Sequence, residues 1–409
     1  MALAGKPMWR VIPGGVTAPQ GYRAGAVRAG LKPSGALDLT LIYSERPAVV
    51  AGAFTMSQVR AACVRYCQAQ LQTGQPVRAI VCNAGQANAA TGPQGWEDTC
   101  RTAVAVAQAL SITPQEVLVA STGVIGQRIP MEKLLAAIPG LVAATTREGG
   151  DLAAAGILTT DLVPKTIALE STALSPPLRI GGMAKGSGMI HPQMATLLAF
   201  LTCDAPVTGD FWRQVLREAV AVSFNQITVD GDTSTNDMVL ALANGAAGGT
   251  PIHAEHPAAP TLAAMVTEAC TALAKQVARD GEGATCLIEV RVQGTATDEQ
   301  ARRIARTIAG SLLVKAAVFG RDPNWGRIAA AAGRAGVPFD PDELAIDLGD
   351  IPLMRAGQPL TFDRAAACAY LQSDPVVIWV RVGGGPGQGC AWGCDLSYDY
   401  VRINAEYTT

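Results

Sequence analysis

The sequence KGSGMIHPQMATLLAFLTCD occupies residues 185–204, just short of the middle of the 409-residue chain. Its first half is a glycine-punctuated loop that carries one lysine, and its second half is apolar from Leu197 to Leu201. Glycines permit the backbone conformations of a tight loop, whereas a short, unbroken apolar run is typical of a buried strand. We therefore predict that a loop ends and a core strand begins at Ala195-Thr196.

The junction between Ala195 and Thr196 has the residue types of a self-cleaving peptide bond. Attack of the Thr196 hydroxyl on the Ala195 carbonyl would convert the peptide into an ester, and hydrolysis would leave Thr196 as a new N-terminus. The freed α-amine of such a threonine can act as the base for its own hydroxyl. A threonine that merely begins a strand is the simpler interpretation of the spacing, because threonine is common in strands.

The composition predicts a well-packed protein that acts on small molecules. Hydrophobic residues make up 49% of the chain and charged residues only 16%, which excludes a disordered chain, and the length indicates two or three lobes. A net charge of -2 gives no reason to expect nucleic acid or an anionic membrane as partner. Glycine and proline interrupt every apolar run before it reaches membrane-spanning length, so we predict a cytoplasmic protein without an export signal.

Ten cysteines are scattered along the chain. In the closest pairs, Cys63 with Cys67 and Cys390 with Cys394, three residues separate the two cysteines. These pairs lack the C-x2-C spacing and the histidine partners of a zinc site. We therefore interpret the cysteines as reduced and mostly buried, and we predict no metal.

The patterning predicts buried strands and amphipathic helices along the chain. The predicted strands are 39–43, 49–54, 78–82, 117–120, 287–292 and 376–382, with a strand tail at 157–161. The predicted helices are 97–110, 209–224 and a long one through Leu262 and Val277, with capped starts at Thr113 and Thr297.

Three polar, glycine-rich segments are candidates for ligand contact: NAGQANAATG at 83–92, STGVIG at 121–126 and DGEGAT at 280–285. The first of them could equally be a turn closed by its amide side chains. A fourth segment, DGDTSTND at 230–237, is dense in aspartate and threonine. A strand that ends in Thr-Gly offers a hydroxyl and an unhindered N–H, the groups of an oxyanion hole, although an ordinary glycine turn has the same sequence. The aspartate-rich run lacks the twelfth-position glutamate of an EF-hand, so it predicts no metal. The Glu282 carboxylate is a candidate to pair with a cationic group of a ligand. The alternative is that Glu282 lies in an ordinary solvated turn.

Together with the central stretch, these motifs resemble the ornithine acetyltransferase family, the bifunctional glutamate N-acetyltransferases of arginine biosynthesis. The resemblance extends over essentially the whole chain, including the terminal NAEYTT, with departures at Gln86, Ala90 and Cys286. It implies a mixed α/β fold shared with self-processing aminopeptidases. It also implies cleavage into an α subunit (1–195) and a β subunit (196–409), which would assemble as an α2β2 heterotetramer.

The resemblance also implies the role of individual residues. Cleavage would fall between Ala195 and Thr196, Thr196 would be the nucleophile, and Thr122 and Gly123 would form the oxyanion hole. The implied substrate-binding residues are Thr159 (preferred to Thr160), Lys185, Thr196, Glu282, Asn404 and Thr409.

The implied reaction moves an acetyl group from N2-acetyl-L-ornithine to L-glutamate through an acetyl-Thr196 intermediate. It requires no cofactor, and the sequence leaves open whether acetyl-CoA is an additional donor. One alternative is an N-terminal-nucleophile aminopeptidase or amidohydrolase of the same fold, in which water accepts the acyl group. A second alternative is a binding or structural protein in which Thr196 only begins a strand.

Overall fold

The computed structural model describes residues 8–191 and 197–406. The expectations for Ala195, Thr196 and Thr409 therefore fall outside the described residues.

Strands and helices alternate through most of the chain, as expected for a mixed α/β fold. The strands are β1 (Trp9–Val11), β2 (Tyr22–Val27), β3 (Leu39–Phe54), β4 (Val77–Gln86), β5 (Val117–Val124), β6 (Lys165–Ser171), β7 (Arg179–Lys185), β8 (Leu198–Cys203), β9 (Ile227–Thr228), β10 (Met238–Ala243), β11 (Leu287–Gly294), β12 (Ala345–Leu348), β13 (Ile351–Arg355), β14 (Gln358–Pro359), β15 (Val376–Arg381) and β16 (Gly385–Cys394). The helices are α1 (Ala62–Gln72), α2 (Gly92–Leu110), α3 (Met131–Ala143), α4 (Gly150–Gly156), α5 (Gly209–Val222), α6 (Ala259–Arg279), α7 (Asp298–Ala309), α8 (Leu312–Phe319), α9 (Trp325–Gly333), α10 (Arg364–Tyr370) and α11 (Tyr398–Glu406).

The first sheet contains nine strands within the described residues, in the order β1-β6-β7-β8-β10-β3-β4-β5, with β2 paired to β3. At its centre β8 and β10 run parallel, with Met238 opposite Leu198. They are flanked on one side by β7 and on the other by β3, both in antiparallel pairing. Two strands that follow residue 196 in the chain therefore lie between strands that precede it.

A second sheet has the order β14-β13-β12-β15-β11-β16-β9. Helix α6 contacts β6 and β7 of the first sheet and β9, β11 and β16 of the second. The layers are thus helices α1 to α4, the first sheet, helices α5 and α6, the second sheet, and helices α7 to α9. None of the helices in the described residues combines the length and apolar character needed to span a bilayer.

The central strand β8 is buried on both faces, as the apolar run predicted. Leu198 and Phe200 pack in the core beneath α1 to α4, whereas Ala199 and Leu201 pack in the core beneath α5 and α6. This alternation is the expected result of a strand whose successive side chains point to opposite faces. Every cysteine lies within the described residues, none is in a disulfide and most are buried, which confirms their interpretation as reduced, mostly buried residues.

Several predicted boundaries were wrong. The segments 39–43 and 49–54 form one bent strand, because β3 continues through an irregularity between Tyr43 and Ala48. Helix α2 begins at Gly92 rather than at residue 97, with a proline in its first turn. The predicted strand tail at 157–161 is instead a turn that follows α4.

The predicted helix at 209–224 and the long helix through Leu262 are confirmed as α5 and α6. Thr113 forms its capping box with Glu116. Thr297 caps α7 by accepting a hydrogen bond from the Gln300 N–H.

Candidate active site

A cavity of about 250 Å³ lies where the ends of β5 and β7 meet the loop before β10 and the turn after α6. Leu197, which directly follows Thr196 in the chain, contributes to its wall. The predicted site residues in the described part of the chain all line this one cavity: Thr122, Gly123, Thr159, Lys185, Glu282 and Asn404. The fold therefore brings together residues from five separate segments of the chain.

The last residues of β5 form one wall. Gly123 pairs with Gly85 of β4 and has a φ of +125°, and a Cβ atom there would lie 2.3 Å from the Gly85 carbonyl carbon. Glycine is thus required both by the conformation and by the close approach. The Asn236 side chain fixes this strand end by donating a hydrogen bond of 2.7 Å to the Ser121 carbonyl, immediately before Thr122.

The Lys185 ammonium lies at the end of β7 and is held by hydroxyl groups. Its Nζ donates to Thr159 Oγ1 at 2.7 Å and to Thr122 Oγ1 at 3.4 Å. The carboxylate of Asp161 lies 3.9 Å away and also accepts the Gly186 N–H at 2.7 Å. Lys185 is therefore in direct contact with the wall that the end of β5 forms.

Behind Lys185 is a buried chain of ion pairs. Lys165 is fully buried and donates to Asp161 at 2.7 Å and to Asp280 at 2.6 Å. Burial alone would raise the pKa of the Asp161 carboxyl, but the charges of Lys185 and Lys165 outweigh burial and hold its pKa well below the usual range. Two lysines and two carboxylates thus balance in charge, and they fix the turn after α4 against the end of α6.

Another part of the cavity wall is acidic. Glu282 accepts a hydrogen bond of 2.8 Å from the Asn404 amide, and its carboxylate lies directly over Gly188, where a Cβ atom would be 2.4 Å from it. Asp230 accepts from two backbone N–H groups of the loop after β7. Tyr400 forms a side-chain hydrogen bond with Asp230, and burial, together with the neighbouring carboxylates, raises the pKa of its hydroxyl above the usual range.

The cavity wall therefore carries charges of both signs. Among the described residues that line it, Lys185 is the one cationic side chain, whereas Asp230, Asp232 and Glu282 are acidic. Such a site suits a small molecule that carries a carboxylate at one end and an ammonium group at the other.

Asp237 is a further acidic residue of the cavity wall. It is 1% exposed, and its Oδ2 atom has no hydrogen-bond partner among the described residues. Burial raises the pKa of this carboxyl well above the usual range, against the opposing effects of Ser234 and Lys185. The side chain is consequently neutral at pH values where an exposed aspartate is charged.

Sequence reasoning did not single out the ion pairs or the tyrosine of this site. Asp161 ends the Thr-Thr-Asp segment that was noted only for its threonines, and a buried Lys165 has no sequence signal. Asp237 belongs to the 230–237 run, which was considered and rejected as a metal loop and which lines the cavity. Tyr400 precedes Asn404 by one helical turn, so the helical periodicity of α11 was the signal that could have found it.

The cavity offers hydroxyl groups, one ammonium group and carboxylates, and no cluster of metal-ligating side chains occurs within residues 8–191 and 197–406. A concave site with hydroxyl groups and charges of both signs suits an enzyme that acts on a small polar molecule. The chain belongs to the ArgJ family, because the sequence model of that family matches residues 23–409. It is an acetyltransferase of arginine biosynthesis.

Close relatives cover the full length of the chain. It is 60% identical to the arginine biosynthesis bifunctional protein ArgJ of Synechocystis sp., over 98% of this chain and 99% of the relative. It is 62% identical to the protein of the same name from Synechococcus sp., with the same coverage. A solved chain of Mycobacterium tuberculosis ornithine acetyltransferase, in complex with ornithine, is 49% identical, covers 46% of this chain and 100% of its own length, and has a TM-score of 0.44.

Proposed function

We propose that this enzyme moves the acetyl group of N2-acetyl-L-ornithine to L-glutamate through an acetyl ester on Thr196. The observation that carries the proposal is a cavity whose wall holds both Lys185 and carboxylates and includes Leu197, which directly follows Thr196. Ornithine has the matching charges, because its α-carboxylate and its side-chain ammonium lie at opposite ends of the molecule. The Mycobacterium tuberculosis relative was solved with ornithine bound.

The nucleophile would be produced by cleavage between Ala195 and Thr196, which divides the chain into residues 1–195 and 196–409. The α-amine of Thr196 then takes the proton of its own hydroxyl, and the oxygen attacks the acetyl carbonyl. Thr122 and the Gly123 N–H stabilise the oxyanion, and each such donor contributes about 3 kcal/mol to transition-state stabilisation. Ornithine leaves with a proton from the amine, and the amine of glutamate then takes the acetyl group from Thr196.

Substrate binding follows the charges of the cavity. Lys185, supported by Thr159, pairs with the substrate α-carboxylate, and Glu282 with Asn404 meets the ornithine side-chain ammonium. Thr409 completes the substrate contacts.

The reaction as written needs no cofactor, because acyl transfer from amide to amine regenerates an amide. The two chain segments associate as an α2β2 heterotetramer.

The intact mass of the purified protein tests the proposal, in parallel with that of a Thr196→Ala variant. We expect the wild type to give two chains that correspond to residues 1–195 and 196–409, and the variant to give one uncut, inactive chain. Acetylornithine turnover is then measured with and without glutamate. Release of acetate that does not depend on glutamate would contradict the transferase and indicate a hydrolase, and an uncut wild type with full activity would contradict the nucleophile.

A further inference from the structure

A second cavity, of about 480 Å³, opens beside the first and carries a different charge. Its wall includes Arg60, Arg65, Asn88, Thr91 and Gly92, and we call it the arginine groove. No acidic side chain is among the described residues that line it. We propose that the arginine groove binds the phosphate groups of an acetyl-coenzyme A donor, which acetylates the same Thr196; this inference rests on the function proposed above.

The two guanidinium groups of the groove are available to an anion. Arg60 and Arg65 are exposed, and neither forms an ion pair with any residue that the structure describes. The Arg60 Nε donates a hydrogen bond of 3.0 Å to the Ser57 carbonyl. This bond fixes one edge of the Arg60 guanidinium and leaves its other nitrogens available. A planar guanidinium is the side chain best suited to bidentate contact with phosphate.

An aromatic ring lies beside the second arginine. The Arg65 guanidinium is 5.9 Å from the centre of the Trp96 ring, and 37% of Trp96 is exposed. A partly exposed indole next to a phosphate-binding group is a stacking surface for a purine base. Inorganic phosphate or acetyl phosphate would use the arginines alone, so the ring favours a nucleotide.

The backbone around the groove supports the same polarity. Helix α1 begins at Ala62 and helix α2 at Gly92, and both starting residues line the groove, where the partial positive charge of a helix N-terminus adds to that of the arginines. The connecting loop holds Asn88 at φ +51° and Ala90 at φ +55°. The Asn88 amide fixes that loop by donating to the Gly95 carbonyl at 2.9 Å.

The arginine groove and the active-site cavity share one wall. Ala87 lines the cavity, and the next residue, Asn88, lines the groove. On the facing segment the Ala61 N–H donates 2.9 Å to the carbonyl of Thr235, which lines the cavity. A carrier held by its phosphates in the groove would therefore need only a flexible arm across this wall to present a thioester to the cavity.

The chemistry balances without any further reactant. The Thr196 oxygen bonds to the thioester carbonyl carbon, the carbon–sulfur bond breaks, and the hydroxyl proton passes through the α-amine to the leaving thiolate. The glutamate amine then attacks the ester, the new amide bond forms, and the proton returns to the Thr196 oxygen.

An Arg60→Gln/Arg65→Gln double variant of the full-length enzyme tests the inference with two donors. We measure initial rates of glutamate acetylation with acetyl-CoA and, separately, with N2-acetylornithine. The KM for acetyl-CoA should rise at least about tenfold, because two charge-assisted contacts are lost. The acetylornithine rate should stay within about twofold, because neither arginine lines the cavity that binds it.

Arg217→Gln is the matched control, because Arg217 is an exposed arginine on α5, across the first sheet from the groove. It should leave both donors unchanged. Arg60→Gln alone gives a second variant, with a smaller rise in the acetyl-CoA KM. Acetyl phosphate is tested as a donor to separate a simple anion site from a nucleotide site.

Three results would overturn the inference: a wild type that uses N2-acetylornithine but not acetyl-CoA, an unchanged acetyl-CoA KM in the double variant, or an arginine-dependent reaction with acetyl phosphate alone. An equal loss with both donors would also overturn it, because it would indicate a structural role. Failure of the proposed function is recognised separately, as a wild type inactive with N2-acetylornithine.

Discussion

The pKa values of two buried carboxyl groups at this site are shifted in opposite directions. Asp161 is surrounded by Lys165 and Lys185, and their charges overcome the effect of burial and hold its pKa low. Asp237 has one oxygen without a partner among the described residues, so burial dominates and its pKa is high. The difference comes from the neighbours and not from the depth of burial, because both side chains are almost completely enclosed.

The pKa of Asp237 predicts a pH-dependent cost in stability. As the pH rises above about 4, the unfolded chain loses the Asp237 proton while the folded protein retains it. The contribution of Asp237 to the free energy of unfolding therefore falls until the pH reaches the folded-state pKa of this group. Asp237→Asn has no proton to lose at this position. The difference in free energy of unfolding between the variant and the wild type should therefore grow, in favour of the variant, by up to about 1.4 kcal/mol per pH unit across that window.

Urea unfolding between pH 4 and pH 8 measures this gain. Both proteins carry Thr196→Ala, so that unfolding is not coupled to the separation of two chains. A difference between them that does not change with pH would show that Asp237 is charged in the folded protein.

At the scale of single elements, the end of β5 determines the shape of the cavity wall at Thr122 and Gly123. The strand continues to Val124 because it pairs residue by residue with β4, which ends at Gln86. A side chain has no room at Gly123, because a Cβ atom there would lie 2.3 Å from the Gly85 carbonyl carbon. Activity should therefore depend on this glycine more than on other glycines of the same loop.

Gly123→Ala should lower kcat about a hundredfold or more, because the added Cβ must displace the backbone that holds the oxyanion donor. Gly126→Ala is the matched control: its φ of +80° is also left-handed, but no atom lies within 4 Å of the added Cβ. The control should lose about 1 kcal/mol of stability and keep its kcat. Steady-state kinetics and thermal unfolding of both variants test this, and an equal loss of kcat would assign the effect to strain alone.

The sequence predicted where most elements lie and which loops line the cavity, because both follow from local pattern. It did not predict where β4 and β5 end, since both strands are extended by their pairing with each other. Helix α2 shows the same limit: acidic residues at 97 and 98 suggested its first turn, whereas its start at Gly92 follows a loop fixed by Asn88.

Of the site, the motifs predicted the residues that face the cavity. The sequence did not reveal the residues that hold them, such as Lys165 and Asp280. These two are separated by more than a hundred residues and meet only in the folded protein.

At the scale of the whole molecule, residues on both sides of the proposed cleavage point build one sheet. Strands β8 and β10 follow that point, and they lie between β7 and β3, which precede it. Their side chains fill the cores on both faces of the sheet. Each segment therefore lacks the neighbours that its central strands need.

Separate production of residues 1–195 and 196–409 should give chains that do not fold, because each would expose strand edges and apolar faces. Co-production of the two segments should restore a soluble complex. Size-exclusion chromatography and far-UV circular dichroism distinguish the outcomes. Cooperative unfolding of either segment alone would contradict this account of the sheet.

The position of β8 and β10 has a consequence for the lifetime of a cleaved molecule. The two polypeptides would be interleaved within one sheet, so releasing either requires breaking hydrogen-bonded ladders on both sides of the inserted pair. The two chains cut from one polypeptide would accordingly stay associated, and they would not exchange with the chains of another copy.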